Sequence, residues 1–482
     1  MKNCKTYTLI TILILLIQAP ILAQHNYAGT IIDENTAEPL VGATISTNNK
    51  GVATTNYNGK FEFELEEASQ NFTISYVGYE LKTMASTELK GMLKLKPTAS
   101  MLNQIVLSVN RDARERSEAP ISIASISTQV IEDAKATRID EVINKVSGVY
   151  MVDLGNEQHT MAIRQPINYK GLFLYLEDGL PIRPTGVFNH NALLEMNMAA
   201  LRSIEVIRGP VSSTYGSEAI GGAINFISMR AAAAPRAKIN IQANNNGYRR
   251  VDLNASNTFN KIGISVSGYY AQRKNGFLEH SDFDKLALTF RADYFINNKN
   301  TLTFDATYID YEADMTGSLD SAFFYSKNYS SQQTFTNRAV DALRTKLVYN
   351  RYWNTESKTT VTACLRDNSI RQNPSYRVRD DYTPWGNPDG DQRLAHGEIN
   401  DNSVNSFGVL AQHQQQFKAL KNANLTVGAS IDNSPNTFVA NYIAITKSDE
   451  NVYTNFTKTD SVLTDYEVSL INYALMPISI LS

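Results

Sequence analysis

The sequence predicts a mainly β protein in three parts: a small β-sandwich, a compact α/β domain, and the first about ten strands of a transmembrane antiparallel β-barrel. Short apolar runs broken by turn residues fill the segment before Pro97. Helix and strand signals mix between 119 and 230. From 236 onward, apolar and polar residues alternate over segments long enough to cross a bilayer. The composition agrees with a folded chain. Of 482 residues, 43% are hydrophobic and 10% aromatic, with 25 Tyr and 19 Phe, too apolar a mixture for disorder. Lys and Arg number 45 against 48 Asp and Glu, so the basic excess that nucleic acid requires is missing. Helical membrane spans need about 20 apolar residues each, and the one long apolar run stands at the N-terminus. Barrel strands alternate, so a mean hydropathy of −0.28 is compatible with them.

Residues 1–23 read as a secretory signal peptide. Lys2 and Lys5 precede the apolar run from Leu9 to Ile17, and the expected cut falls between Ala23 and Gln24. The run is too short for a membrane anchor. Cys4 lies before it, which leaves Cys364 as the one cysteine of the mature chain and permits neither a disulfide nor a cysteine metal cluster. His25, His159, His190, His280, His396 and His413 show no ligand spacing, and HExxH, Walker and GxSxG motifs are absent. The expectation is a protein without cofactor, bound metal or enzymatic activity.

Residues 24–97 carry the sandwich. Strands are expected at Tyr27 to Ile32, Val41 to Ser46, Phe72 to Val77 and Leu93 to Leu95, with turns at 33–39 and 48–51. Phe61, Phe63 and Leu65 alternate with Glu62, Glu64 and Glu66, the pattern of a half-buried strand. Asn58-Gly59 before them signals a hairpin. The runs GTIIDENTAEPLVGATI, GVATTNYNGKFEFEL and ISYVGYE resemble the carboxypeptidase-regulatory-like sandwich at the front of many outer-membrane receptors of the Bacteroidetes type. A small Ig-like adhesive domain would show similar strands.

Residues 119–230 form the α/β part. Thr137 is placed to cap a helix beginning at Arg138, with Asp140 at the capping-box position, Ile139, Val142, Ile143 and Val146 on one face, and Gly148 as the stop. A strand from Leu172 to Leu176 ends in the turn pair Asp178-Gly179, and a second runs from Ser203 to Ile207. The runs MAIRQP, LYLEDGLPIRP and SIEVIRGPVSSTYGSEAIGGAINFIS, in that order, resemble the plug domain of TonB-dependent outer-membrane receptors. The residues that carry the match are Arg164, Asp178, Gly179, Arg208, Gly209, Pro210, Tyr215, Gly216, Gly221 and Gly222. The resemblance implies a globule that closes a barrel from inside. Glycine is needed where the backbone turns with positive φ or meets another chain closely, which accounts for Gly216, Gly221 and Gly222 without a binding role. Arg164, Arg183 and Arg208 are expected to pair with barrel carboxylates, because a lone buried charge is costly; contact with an anionic substrate is the other use open to them.

Residues 98–118 link the two. Gln104, Ile105, Val106, Leu107, Ser108 and Val109 form a β-prone stretch beside the charged segment 111–118, expected to be a disordered linker. An unpaired strand there invites addition by a partner strand. The position, just before the plug, is where the family keeps its TonB box. Gln104 and Leu107-Ser108 depart from the usual box, and the stretch also reads as a last sandwich strand or a plain linker.

Residues 236–482 alternate. Ile262 to Tyr270, Leu286 to Tyr294, Leu302 to Tyr308 and Leu425 to Ile431 each place apolar side chains on one face and polar ones on the other. Connections are short (297–300) or long (312–335 and 373–403), the habit of membrane barrels. Phe323, Phe324, Tyr325, Tyr329, Tyr376, Tyr382 and Trp385 are expected to pack the loops or sit in the interfacial girdle; contact with a ligand is the other use open to them. A soluble antiparallel sandwich would alternate in the same way.

The resemblance implies a receptor in the outer membrane of a Gram-negative bacterium, drawing in a large ligand such as a ferric siderophore, metal chelate or cobalamin. Its implied partners are TonB with the inner-membrane energising complex, outer-membrane lipid, and the extracellular ligand; nucleic acid is not among them. Energy from the inner membrane would explain the missing nucleotide motif. IEVIRGPVSS, rather than an IEVLKDASA-like string, tilts the cargo away from glycans. The alternative is a secreted or surface adhesin or glycan-binding protein without transport. Plugged barrels of this kind have about 22 strands of about 10 residues, more than 236–482 can hold with such loops. The last strand is expected from Val462 to Tyr473, and Pro477 breaks the alternation after it. The chain is therefore expected to be C-terminally truncated and unable to insert alone.

Overall fold

The computed structural model describes residues 25–480 except 48–49, 66–70, 77, 99–104, 110–111, 116–120, 156, 168–171, 183–188, 217, 320, 355 and 418–422. The chain folds as two compact units that divide between Ala99 and Ser100. Ala23, Gln24, Gln104 and Arg183 lie outside the described residues.

The first unit is a sandwich of two sheets. Its strands are β1 (His25–Asp33), β2 (Thr44–Thr47), β3 (Lys50–Thr54), β4 (Lys60–Leu65), β5 (Asn71–Ser75), β6 (Lys82–Ala85) and β7 (Gly91–Leu95). One sheet runs β4-β1-β7 and the other β3-β2-β5-β6. Ile31, Ile45, Phe72 and Ile74 are fully buried between them. Asn58-Gly59 does make a turn, with Gly59 at φ +68°. The expected hairpin is not there: β3 pairs with β2, and β4 crosses to pair with β1. The inward phenylalanines of β4 have their partners on β1 and β5, where Tyr27 and Phe72 stand against Phe63 at 5.2 and 5.8 Å.

The second unit opens with a hairpin of β8 (Ile105–Val109) and β9 (Asp112–Glu115). A five-stranded sheet follows, built from β10 (Ser122–Ser127), β13 (Phe173–Glu177), β14 (Leu180–Pro181), β15 (Leu201–Arg208) and β16 (Gly222–Ser228) in the order β10-β15-β16-β13-β14. A separate hairpin joins β11 (Val149–Gly155) to β12 (Gln158–Ile163). Helices Thr128–Ala134 and Ile139–Ile143 cover the sheet, and Val142, Ile143, Tyr175 and Phe226 fill its core. The helix expected from Arg138 is shorter and starts one residue later. Arg138 holds the N-cap position without a side-chain cap. Thr137 instead donates to Glu141 at 2.7 Å, because an acidic partner one turn on outcompetes a backbone N–H for its hydroxyl.

The rest is one antiparallel wall in chain order. It comprises β17 (Arg236–Ala243), β18 (Tyr248–Phe259), β19 (Ile262–Arg273), β20 (Phe283–Asn297), β21 (Asn300–Asp314), β22 (Asn337–Tyr352), β23 (Ser357–Asn373), β24 (Arg379–Asp380), β25 (Leu394–Phe417), β26 (Ala423–Lys447) and β27 (Tyr453–Ile480). The short β24 pairs only with β25, off the main path. Polar Ser265, Ser267, Thr303, Asp305 and Thr307 are buried on the face toward the α/β domain, while Ile262, Ile264, Phe304 and Tyr308 are exposed. A soluble sandwich would bury the apolar face; this wall turns it outward, as lipid contact requires. Among the described residues no helix is long and apolar enough to cross a membrane. The loop expected at 373–403 is shorter, because β25 begins at Leu394. Of its first ten residues only Leu394, Ala395 and Ile399 are apolar, too few to show a period-2 signal even though the strand pairs. The last strand is longer than expected and includes Pro477, opposite Val427. Among the described strands β27 pairs with β26 alone, so no second ladder there calls on a donor from Pro477.

Candidate ligand pocket and domain-to-wall contacts

A cavity of about 2070 Å³ lies between the tip of the α/β domain and the end of the wall that carries the longer connections. From the domain it is lined by Thr137, Arg138, Asp153, Leu154, Gly155, Glu157, Gln158 and Asn191. Wall strands and loops supply the rest, including Tyr248, Arg273, Tyr311, Gln333, Asn400 and Tyr466. Its size exceeds the roughly 300–1,000 Å³ of pockets for drug-sized molecules. Arg138 meets Asp140 at 3.1 Å and Asp153 at 3.5 Å. Burial lifts the Asp153 carboxyl above its usual range, with Arg138 pulling the other way. Among the described residues no cluster of metal-ligating side chains occurs.

Below the pocket, acids of the domain meet bases of the wall. Glu177 and Glu195 both reach Arg344, at 3.1 and 3.4 Å. Asn368 donates to Glu195 at 2.8 Å. Lys346 donates to Asp178, and Lys285 to Glu157. Ser228 binds Asp178 through both its N–H and its hydroxyl. Desolvation pushes the Asp178 carboxyl up, but the charge of Lys346 and the hydrogen bonds from Lys346 and Ser228 outweigh it and hold it at about 2.

Of the arginines expected to pair with barrel carboxylates, Arg183 lies outside the described residues, and Arg208 donates to the Ser147 carbonyl at 2.8 Å and the Ser122 hydroxyl at 2.7 Å of its own domain. Arg164 is exposed at φ +54°, and neither arginine lines the cavity. Charge on the domain edge is acidic and charge on the facing wall basic, so the carboxylates make the contact. Glu157, Glu177, Glu195 and Asn400 were not legible as functional residues. Only Glu177, beside the Asp178-Gly179 turn, stood in a recognisable run.

The other motif residues build turns. Asp178 and Gly179 have φ of +50° and +80°, and the Gly179 N–H donates to Asn225 at 2.9 Å. Gly209 donates to the Gly221 carbonyl at 3.1 Å, Pro210 follows in the same turn, Gly216 has φ +116°, and Tyr215 is buried. A Cβ on Gly222 would stand 2.3 Å from the Ile207 carbonyl, and one on Gly221 would strike Gln165. These residues frame a small core of Ile123, Leu174, Leu176, Ile207 and Tyr215, into which Val106 of β8 inserts with no exposure. Within the segment expected to be an unpaired strand and a disordered linker, Ile105–Val109 and Asp112–Glu115 pair as a hairpin, Ile105 opposite Glu115 and Val109 opposite Asp112, with Leu107 and Ser108 in its bulged middle. Packing of Val106 into the plug core anchors this two-stranded ribbon, which would be marginal on its own.

Of the loop aromatics, Phe323 and Tyr376 line the cavity. Phe324 and Tyr329 join Phe277 from another loop in an exposed cluster, Phe277 and Tyr329 lying 4.9 Å apart. Trp385 is fully exposed.

Residues 115–223 match the TonB-dependent Receptor Plug Domain family, and residues 27–107 match the CarboxypepD_reg-like domain. Among solved structures, the ferric citrate transporter FecA in the unliganded form superposes with a TM-score of 0.59 at 14% identity, over 75% of this chain and 60% of that one. The ferripyoverdine receptor of the outer membrane of Pseudomonas aeruginosa gives 0.62 at 14% identity, over 80% and 54%. BauA, the ferric preacinetobactin receptor from Acinetobacter baumannii, gives 0.57 at 11% identity, over 80% and 59%. Such identities establish the fold alone, and the chain spans between about half and three-fifths of the length of these structures. In its domains and its fold, the chain has the architecture of a TonB-dependent receptor: a carboxypeptidase-regulatory-like sandwich, a receptor plug, and a wall of receptor-barrel strands.

Proposed function

We propose that the chain acts in the outer membrane as a TonB-dependent receptor for energy-coupled uptake of a large extracellular ligand, as a transporter and not an enzyme. The observation that supports this most is a plug whose acidic edge is ion-paired to a wall with an apolar outer face, beneath a large pocket. In this reading Ala23 and Gln24 flank the signal cleavage site and Gln104–Val109 form the TonB box. The titles of the solved relatives name ferric citrate, ferripyoverdine and ferric preacinetobactin, which puts metal chelates of the siderophore kind among the candidates.

Work on the plug is done from the hairpin. TonB would pair with β8 either along its free edge or after β9 has let go, and the pull would reach the plug core through Val106. The domain-to-wall ion pairs then set the resistance to that pull. The test is Ile105→Pro, which removes one backbone donor from β8. Uptake should stop while ligand binding at the cell surface persists. Normal uptake by a well-expressed variant would discard the box assignment.

A further inference from the structure

We propose that the short-turn rim of the wall binds the anionic head groups of membrane phospholipids through Lys261, Lys299 and Arg351. The surface is separate from the cavity and from whatever is transported. It rests on the receptor reading above only in placing the wall in lipid.

Three successive hairpins each bring a cation to this rim. Lys261 stands in the β18–β19 turn, Lys299 in the β20–β21 turn, and Arg351 at the end of β22, and all three are exposed. The turns are stitched at one level. The Lys261 carbonyl accepts from the Phe295 N–H and the Lys299 carbonyl from the Tyr352 N–H, both at 2.8 Å. Each hairpin adds two strands, so neighbouring cations stand about 10 Å apart along the rim. Lys261 donates to the Ile296 carbonyl at 3.2 Å, and the Arg351 guanidinium lies over the Trp353 ring at 3.8 Å. Among the described residues no carboxylate pairs with any of the three, and Glu356 is the one carboxylate in these turns. Lys358 belongs elsewhere: it sits over the Tyr352 ring at 5.3 Å, on the strand face opposite the exposed Val361 and Leu365.

The other end of the wall treats its cations differently. There Arg371 pairs with Asp341, Arg393 with Asp449 and Lys447 with Asp380, each at 2.9 Å. Those charges have their counterions within the protein. At the short turns the counterions must come from outside.

The outward face beside these charges says which anion fits. Phe259, Ile262, Tyr294, Leu302 and Tyr349 form one cross-strand row over five strands. Phe259 and Tyr294 are 63% and 44% exposed, and Trp353 beyond them 48%. The Tyr349 hydroxyl points toward the rim, donating to Asn300 at 2.7 Å. Arg351 follows Tyr349 by two residues on the same face, about 7 Å nearer the rim. Exposed aromatic rows mark the depth where hydrocarbon gives way to head groups. Bases placed just past such a row lay their apolar stems along it and carry their charges to the level of the phosphates. An acidic protein would account for the bases but not for the aromatic row on the same face.

The chain has 2 tryptophans, Trp353 at this rim and Trp385 in a long connection, which makes a local test possible. The full chain carrying Trp385→Phe, checked for heat-modifiable gel mobility, is placed in detergent micelles with phosphatidylglycerol or phosphatidylcholine. Each lipid is brominated near the head-group end of its chains, and Trp353 quenching is read against the unbrominated form, which cancels any change in its own emission. Phosphatidylglycerol should quench at a roughly fivefold lower mole fraction, the factor that one base at a membrane surface supplies. Lys261→Gln, Lys299→Gln and Arg351→Gln combined should bring the two lipids level. About 1 M NaCl, where the screening length is about 3 Å, should remove most of the difference. Equal quenching by both lipids before the triple substitution, or a preference that survives it, overturns the proposal and leaves the receptor reading standing. So does relief of the phosphatidylglycerol quenching by glycerol phosphate at equal concentration, which would assign the bases to a free phosphate, or by polyglutamate at equal charge, which would assign them to an acidic protein. Quenching by neither lipid overturns the proposal and the membrane placement together, because Trp353 would then stand outside lipid.

Discussion

Lys346 on wall strand β22 donates to Asp178 at the plug turn, across 168 positions of sequence. Asp305, at 3.8 Å, is the second carboxylate near that lysine. The contact joins the positive-φ turn that the plug motif specifies to the polar inner face of the wall.

Asp178 makes this contact sensitive to acid. Its folded carboxyl is held at about 2, against about 3.9 for an unfolded Asp. A depressed carboxyl stabilises the fold fully above the unfolded value, and that contribution disappears as the pH falls from about 4 through about 2. Protease access to the plug, followed across that window, should rise in the native chain. Lys346→Met should flatten the acid-dependent part of the curve. An unchanged profile would show that Lys346 is not what holds Asp178 down.

Glu195 and Asp341 predict opposite outcomes for the same type of change. Glu195 is fully buried between Arg344 and Asn368, so Glu195→Gln should destabilise the plug by about 3 kcal/mol by leaving Arg344 short of charge. Asp341 pairs with Arg371 at 2.9 Å, but the two side chains are 45% and 60% exposed. Asp341→Asn should therefore cost less than about 0.5 kcal/mol. Thermal melts of both variants decide it, and equal shifts would remove the assigned importance of burial.

Two glycines of the sandwich separate backbone strain from crowding. Gly59 and Gly91 both have positive φ, +68° and +70°. A Cβ on Gly59 would lie 2.5 Å from the Ile31 carbonyl, whereas one on Gly91 would meet nothing within 4 Å. Gly91→Ala should cost about 1 kcal/mol from conformation alone. Gly59→Ala adds a clash with rigid backbone and should cost about 2–4 kcal/mol. Denaturant titration should rank them in that order.

Much of the fold was legible in residues. Alternation in Leu302 to Tyr308 announced β21, and Asp178-Gly179 announced its turn. The RGP…YG…GG run marked the plug, yet its residues turned out to be turn-makers around Tyr215 and Val106, away from the pocket. Pocket residues such as Asn400 and Gln333 were silent, because isolated amides in polar loops and strand ends look like any solvated surface. The Asn58-Gly59 pair misled for a related reason: a local turn signal says nothing about which sheet the next strand joins.

Alternating side chains, turn glycines and motif order determined by themselves that this chain is β-rich, that it carries a plug, and where strands such as β19, β20 and β21 lie. Those properties depend on neighbours a few residues apart. Which face of the wall is buried, which charges meet, and which residues line a common cavity were decided only by tertiary structure. Pairs such as Asp178 with Lys346 or Glu195 with Arg344 are brought together by strand register and by the seating of the plug, and a one-residue slip in the register of β22 would turn Lys346 and Arg344 to the opposite face.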